Sequence, residues 1–457
     1  MNWIQKELRT IDLKDKRLNN RVKSVLESLS KEPLESIPST VKNHNDVMAT
    51  YRLFQNNKVT DEKLMNVHKE STISRMREHK TILLLQDTTE LDYSSKSTKI
   101  KGLNRLSIDE RRGLLLHAQI AVTPDRLCLG CIGAEFINRT EEKISQSQRN
   151  KLPVSEKESY RWIKGYERAN DISQELPGTQ IISVADRESD FYDFYSEAVK
   201  GEADWIVRGY RNRQIEVDSD YDKMLDSLKN SPPIAEIKLI KQKTKEQSKR
   251  EAVLTLYAKE LTLLPPGNKE EYAKEKVNAI WLKEENPPEG MEPISWLLVT
   301  SLPISSIDSC FDIVNYYLCR WDIELFFKTL KSGCKVEELQ LEKVERLKPC
   351  LILYMIVAWR ILYLTMLGRR CPDLPCNVVF EKIEWETACS VHFKEPPPKH
   401  PPTLQDMITI IASFGGFLNR KNDLPPGNKT MWIGLQKLAC YCTAAEAFSE
   451  ISCRKKE

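Results

Sequence analysis

The chain lacks an excess of charge of either sign: 69 Lys and Arg stand against 66 Asp and Glu among 457 residues, a formal net charge of +3. Bulk electrostatics therefore announce no nucleic-acid partner, and any basic surface must be local. A secretory signal is also missing, because the opening Met1-Asn2-Trp3-Ile4-Gln5-Lys6-Glu7-Leu8-Arg9 has no apolar run. Twelve cysteines occur without framework spacing, so reduced thiols in a cytoplasmic protein are expected. Internal repeats are absent. The hexapeptide Leu-Pro-Pro-Gly-Asn-Lys recurs at 264–269 and 424–429 with nothing similar around it, which reads as two alike turns. Long hydrophobic runs are scarce too. Only Cys350 to Leu367 raises the membrane question, and Arg360 near its middle favours a buried helix.

What is present suggests about three domains, at roughly 150 residues each. Residues 1–24 carry Lys6, Arg9, Lys14, Lys16, Arg17, Arg21 and Lys23. Helical patterning follows through Val22, Val25, Leu26 and Leu29, and again from His44 to Phe54, as suits a DNA-contacting bundle or a solvated helical cap. Thr81 to Asp87 and Gln180 to Asp186 are apolar runs that each end in a carboxylate, read as buried strands. Between them come a hairpin, with strands at about 114–122 and 127–136, and a helix at about 159–174. A helix from Phe191 to Val199, a strand from Asp204 to Val207 and the basic run Arg208, Arg211, Arg213 follow. That order indicates α/β with a mixed sheet. From about 221 to 298, separated strands with Lys- or Pro-rich turns read as an antiparallel β insertion. A Pro-rich linker at 396–402 and helical segments at about 403–413 and 430–448 close the chain.

The uninterrupted stretch Tyr317 to Lys331 is expected to form one helix. At about 100° per residue, Tyr317, Arg320, Glu324, Lys328 and Lys331 share a polar stripe. Cys319, Ile323, Phe326, Phe327 and Leu330 take the core-facing side. Alone, this is equally a solvated face with a Glu324–Lys328 pair. Asp87 and Asp186 change that reading. If their strands run side by side and parallel, the two carboxylates become neighbours that need a metal or a proton. Glu324 would complete an oxygen site suited to Mg²⁺ or Mn²⁺. Taken singly, Asp87 could be a turn former and Asp186 a helix N-cap.

With Asp87-Thr88-Thr89, Asp186-Arg187-Glu188-Ser189-Asp190 and Tyr317-x2-Arg320-x3-Glu324-x6-Lys331 in order, the chain resembles the bacterial cut-and-paste DDE transposases of the IS-four group. The likeness extends to Gly415-Gly416-Phe417, Arg420 and Trp432 near the end. It implies an RNase H-like mixed-sheet catalytic core at 73–369 with an antiparallel β insertion at about 215–300. A helical domain at 1–72 would recognise DNA ends, and a helical dimerisation region would occupy 370–457. Asp87, Asp186 and Glu324 match the catalytic metal triad, which takes two Mg²⁺ ions (Mn²⁺ able to substitute). Tyr317, Arg320, Lys328 and Lys331 match residues that grip the transposon-end backbone. Trp296 matches a tryptophan that receives a flipped base; a buried strand aromatic is the plainer reading. Arg208 aligns with a DNA-contacting arginine, and Arg211 and Arg213 could share that work.

The implied partners are double-stranded DNA, as element ends and target, and a second copy in a synaptic complex. No membrane is implied, and the place of action is the bacterial cytoplasm, on the nucleoid when DNA-bound. Phe327 stands where the group commonly has His, and Ser189 where Ala is usual. A metal-dependent nuclease of the same fold, or a non-catalytic DNA-binding regulator, are the rival readings. Cys128-x2-Cys131 lies in a strand whose alternation separates the two thiols. Cys371, Cys376, Cys389 and His392 have finger-like spacing, but their Pro-rich loop context favours free thiols over zinc.

Overall fold

The computed structural model describes residues 2–454 apart from 42, 97–99, 109, 143, 219, 242–249, 268 and 270. Most of the expected Lys-rich turn at 241–250, and Asn268 of the first repeated hexapeptide, lie outside the described residues. The chain opens with helices α1 (Trp3–Glu7), α2 (Lys16–Lys31), α3 (Ile37–Val41), α4 (His44–Gln55) and α5 (Asp61–Met76). Strands β1 (Thr81–Asp92), β2 (Asn104–Arg105), β3 (Arg112–Val122) and β4 (Cys128–Ile137) follow. Next come α6 (Gln146–Lys151), α7 (Tyr160–Glu175), β5 (Gln180–Ala185), α8 (Tyr192–Ala198), β6 (Asp204–Gly209), β7 (Gln214–Val217), β8 (Asp220–Lys223) and α9 (Met224–Lys229). The insertion supplies β9 (Ala235–Lys241), β10 (Arg250–Leu263), β11 (Glu275–Lys283) and β12 (Ser295–Thr300). The chain ends with α10 (Ile307–Leu318), α11 (Trp321–Lys328), α12 (Val344–Arg370), α13 (Lys382–Phe393), α14 (Leu404–Phe414) and α15 (Asn428–Arg454). The α/β expectation, a mixed sheet with helices towards both ends of the chain, is met.

Two compact units result: one from residues 1–78, 88–143 and 321–457, the other from 79–87 and 144–320. The second unit is built on a sheet with strand order β1-β5-β6-β12-β11-β10-β7-β8, β9 pairing with β10. β1, β5 and β6 are parallel, while β12 to β8 are antiparallel. Ile82 to Leu85 are fully buried, as a central parallel strand requires, and α7 packs against β5. Strand β10 runs far longer than its apolar alternation suggests, because β9, β11 and β7 divide its length between them.

In the first unit α12 is the core. It packs on α2, α4, α5 and β4 as well as on α14 and α15, and from Cys350 to Trp359 every residue is buried. It is long and apolar enough to cross a membrane, yet 89% of its most apolar window is buried inside the protein. Val22, Val25, Leu26 and Leu29 form the buried stripe of α2 as expected, and Asp15 caps that helix through its side chain. Helix α13 corrects the loop expected around Cys389 and His392. Cys376 and Cys389 are buried in a cluster with Trp385, Met407 and Ile411, while the His392 Nδ1 lies 3.1 Å from Ser413 Oγ.

The stretch from Tyr317 to Lys331 is not one helix. α10 ends at Leu318, α11 starts at Trp321, and a π-helical turn covers Thr329–Gly333. At the break the Arg320 N–H bonds the Tyr317 carbonyl three residues back, the tight pattern of a 3₁₀ turn. The apolar side survives: Cys319, Ile323, Phe326, Phe327 and Leu330 are all buried. The polar side does not hold as a solvated stripe, because Tyr317 and Arg320 are only 4% and 8% exposed.

Candidate active site

β1 and β5 run parallel, with Thr81 opposite Gln180 and Leu85 opposite Val184. Carried two residues further, that register sets Asp87 opposite Asp186. Neighbouring strands lie about 4.8 Å apart, and equal register turns both side chains to the same face. The expectation of side-by-side parallel strands is thus met. β1 does not stop at Asp87, however. It runs on to Asp92, where the next residue, Tyr93, donates its N–H to the Arg112 carbonyl. Asp87 is therefore a strand residue, not a turn former.

Each carboxylate is held by its surroundings. Arg320 Nη1 donates to Asp87 Oδ2 at 2.9 Å, supplying the cation that a nearly buried carboxylate requires. Asp186 Oδ1 accepts the Glu188 N–H at 2.8 Å and caps a 3₁₀ turn over Arg187–Ser189. Glu188 in turn meets Arg161 of α7 at 2.6 Å.

Asp190, four residues beyond Asp186, is the support that spacing alone does not reveal. Its buried carboxylate accepts from the backbone N–H groups of Tyr210 and Arg211 at 2.7 and 2.8 Å, from Arg213 Nε at 2.9 Å and from the Tyr195 hydroxyl at 2.8 Å. This corrects the reading of the basic run. Arg213 is buried against Asp190 and is unavailable to DNA, whereas Arg211 is exposed. Arg208 lies 5.5 Å from the Trp296 ring and donates to the Ser295 carbonyl at 3.0 Å. Trp296 meets Tyr317 edge-on at 6.2 Å. Trp296 is half-buried, so it is not a fully enclosed core aromatic. Tyr210, 72% exposed with Arg187 5.8 Å from its ring, forms a further aromatic–cation pair, Arg187 adjoining Asp186 in sequence and the Tyr210 N–H bonding Asp190. An isolated tyrosine in a turn carries no pattern that could have flagged it.

Glu324, Lys328 and Lys331 belong to the other unit. Glu324 is half-buried on α11, and Lys328 is exposed. Lys331 lies on the π turn with its ammonium 3.8 Å from Glu337. Asp322, 4% exposed on the same helix, faces Arg126 at 3.5 Å. Burial pushes its carboxyl up to about 6, against the pull of Arg126, Arg369 and Arg370. Among the described residues no three His, Cys, Asp or Glu side chains gather as a cage for a metal ion. The pair Asp87 and Asp186 nevertheless offers hard oxygen donors. Mg²⁺ commonly takes one or two carboxylates and fills its other positions with water and substrate phosphate, so the pair fits such an ion.

Three family models match the chain. A transposase DNA-binding model covers residues 1–59, a transposase DDE domain model covers 165–359, and a model of the transposase Tn5 dimerisation domain covers 356–452. Asp186 and Glu324 fall within the second match, and Asp87 precedes it.

Proposed function

This chain is a DNA transposase of the Tn5-like DDE family, and we propose that it excises its element through a hairpin intermediate and joins the freed ends to target DNA. Its catalytic domain is RNase H-like, and its partners are DNA and a second copy of the chain. In this reading residues 1–72 recognise the element's ends, 73–369 carry the chemistry with the insertion at about 215–300, and 370–457 pair the subunits in a synaptic complex. The place of action is the bacterial cytoplasm.

Asp87, Asp186 and Glu324 are the carboxylates that hold divalent metal. Two Mg²⁺ or Mn²⁺ ions would raise the acidity of the attacking water or hydroxyl and neutralise charge on the leaving oxygen. Arg320, released from Asp87, and Tyr317, Lys328 and Lys331 bind backbone phosphates, Arg in bidentate fashion and Lys as point charges. Arg208 and Arg211 extend that grip. Water first attacks the phosphorus at the element's end, and the bond to the 3′ oxygen breaks. The freed 3′ hydroxyl attacks the phosphorus of the opposite strand, expels the flanking strand's 3′ oxygen and closes a hairpin, in which a flipped base stacks on Trp296. Water attacks the hairpin phosphorus and expels the element's 3′ oxygen as a hydroxyl, which then attacks a target phosphodiester and expels the target's 3′ oxygen. The register that sets Asp87 opposite Asp186, with Arg320 on Asp87, is the observation that carries this reading.

The test is a strand-transfer assay with the element's own terminal repeats, Mg²⁺ and a plasmid target. Joined products are expected. Cleavage without joining would favour a nuclease instead, and covalent attachment of labelled DNA to protein would overturn the scheme.

A further inference from the structure

Arg360 has no place in the chemistry above. It lies near the middle of α12, the most apolar helix of the chain, where a guanidinium is costly unless its charge and donors are answered. Its Nη2 donates to the Val379 carbonyl at 2.6 Å. Its plane lies 5.2 Å from the Trp3 ring and 5.9 Å from that of Tyr363. Among the described residues no carboxylate forms an ion pair with it, and the acids whose charge it feels, Glu384 and Glu7, are bonded elsewhere. Glu7 is engaged by His68 and Arg75, and Glu384 accepts the Glu381 N–H at 2.7 Å. Burial accordingly holds the Arg360 pKa below its ordinary value.

The side chain lines a cavity of about 780 Å³ with Trp3, Trp359, Tyr363 and Trp385, where the cations Lys6, Arg75 and Lys382 outnumber the acids Glu7 and Glu381. Both lysines are exposed. That volume falls within the roughly 300–1,000 Å³ of small-ligand sites. A guanidinium has five N–H donors, so the four not given to Val379 include a fork that a phosphate can accept. Tyr363 is already covered by Trp359, 5.5 Å away, so the half-buried Trp3 is the ring that offers surface to a planar base.

We propose that this cavity binds a free nucleotide, its phosphate on Arg360 with Lys6 and Lys382 and its base against the aromatic wall. The full chain would be titrated with labelled AMP and followed by tryptophan fluorescence, with inorganic phosphate and a double-stranded oligonucleotide as competitors. Saturable AMP binding with quenching is expected, displaced only weakly by phosphate. Arg360→Gln should weaken it by roughly tenfold, the scale of a lost charge-assisted hydrogen bond. Lys382→Ala, at an exposed site, should weaken it about threefold by loss of one partly screened charge. Absence of saturable AMP binding, or unchanged affinity in both variants, would overturn the proposal. If Arg360→Gln fails to fold, Lys382→Ala and Lys6→Ala decide alone. Displacement by phosphate as strong as by AMP would sink the base contact. Full displacement by the oligonucleotide would reassign the site to the DNA backbone.

Discussion

At the scale of single residues, burial separates side chains that look alike in the sequence. Arg208, Arg211 and Arg213 form one basic run, yet Arg213 is turned inward onto Asp190 while Arg211 is exposed. Nothing local decides which arginine turns in, because the deciding carboxylate lies 23 residues earlier. Asp190→Ala should therefore cost about 3–5 kcal/mol, the penalty for stranding a buried charge, and chemical denaturation would measure it. Arg211→Ala should change stability by no more than about 0.5 kcal/mol while lowering affinity for end DNA in a gel-shift titration. A second buried network links Glu7, His68 and Arg75. His68 Nδ1 meets Glu7 at 2.6 Å, and His68 Nε2 accepts the Cys131 N–H at 2.9 Å. Burial holds the imidazole below its ordinary 6.5 despite Glu7. Burial would raise Glu7, but His68 and Arg75 outweigh it and bring the carboxyl from 4.5 to about 2. In both cases the unfolded chain takes up the proton first, so stability is whole above about pH 6.5 and falls as the solution is acidified. The Glu7 contribution begins to fall below pH 4.5 and is lost as the solution passes about pH 2. Asp322, raised from 3.8 to about 6, works the other way between those values, so thermal melts of the Asp322→Asn variant from pH 8 to pH 2 should show the midpoint falling in that order, and a flat profile would contradict it.

At the scale of elements, the legible features were those whose period matches a buried face. The two apolar runs that lead into Asp87 and Asp186, the stripe on α2 and the apolar α12 were all readable, because one-sided or complete burial writes itself into the sequence. Helix α5 was not. His68, Ser71 and Thr72 are buried beside its apolar residues, because the helix contacts both β4 and α12 and keeps only a narrow exposed stripe at Glu62, Lys63, Asn66 and Glu70. The break between α10 and α11 was equally hidden, since the apolar side continues across it and no Pro or Gly announces it. The π turn at Thr329–Gly333 lies close to Trp432 of α15: a Cβ on Gly333 would sit 2.9 Å from that ring. Where α15 crosses α14 the contact is closer still, a Cβ on Gly434 falling 1.9 Å from the Ile411 carbonyl oxygen. Gly434→Val must therefore push the helices apart, at a cost of about 1–3 kcal/mol or more. Limited proteolysis should then cleave within 428–454 faster than in the parent chain, and equal rates would show that the close approach is dispensable.

At the scale of the whole molecule, a chain with almost no net charge binds a polyanion, so attraction must come from local basic groups offset by acids elsewhere. Binding to end DNA should weaken linearly in log–log form with salt, at a slope near 0.9 per phosphate neutralised. Chelation should abolish cleavage while leaving end binding in place. Asp186→Asn should do the same, with a loss of roughly 10²–10³-fold or more if metal contributes several kcal/mol to the transition state. Cleavage that survives both treatments would remove the metal from the scheme.

The burial of α12 also bears on how the protein is made. Helices α2, α4 and α5 and strand β4 leave the ribosome before it, so the greasiest rod in the polypeptide emerges to find part of its berth already built. A fragment starting after Glu78 would be born without those three helices and should clump or seek lipid. Helices near both ends of the chain, α2, α4 and α5 from one side and α14 and α15 from the other, thus close around a single shared spine.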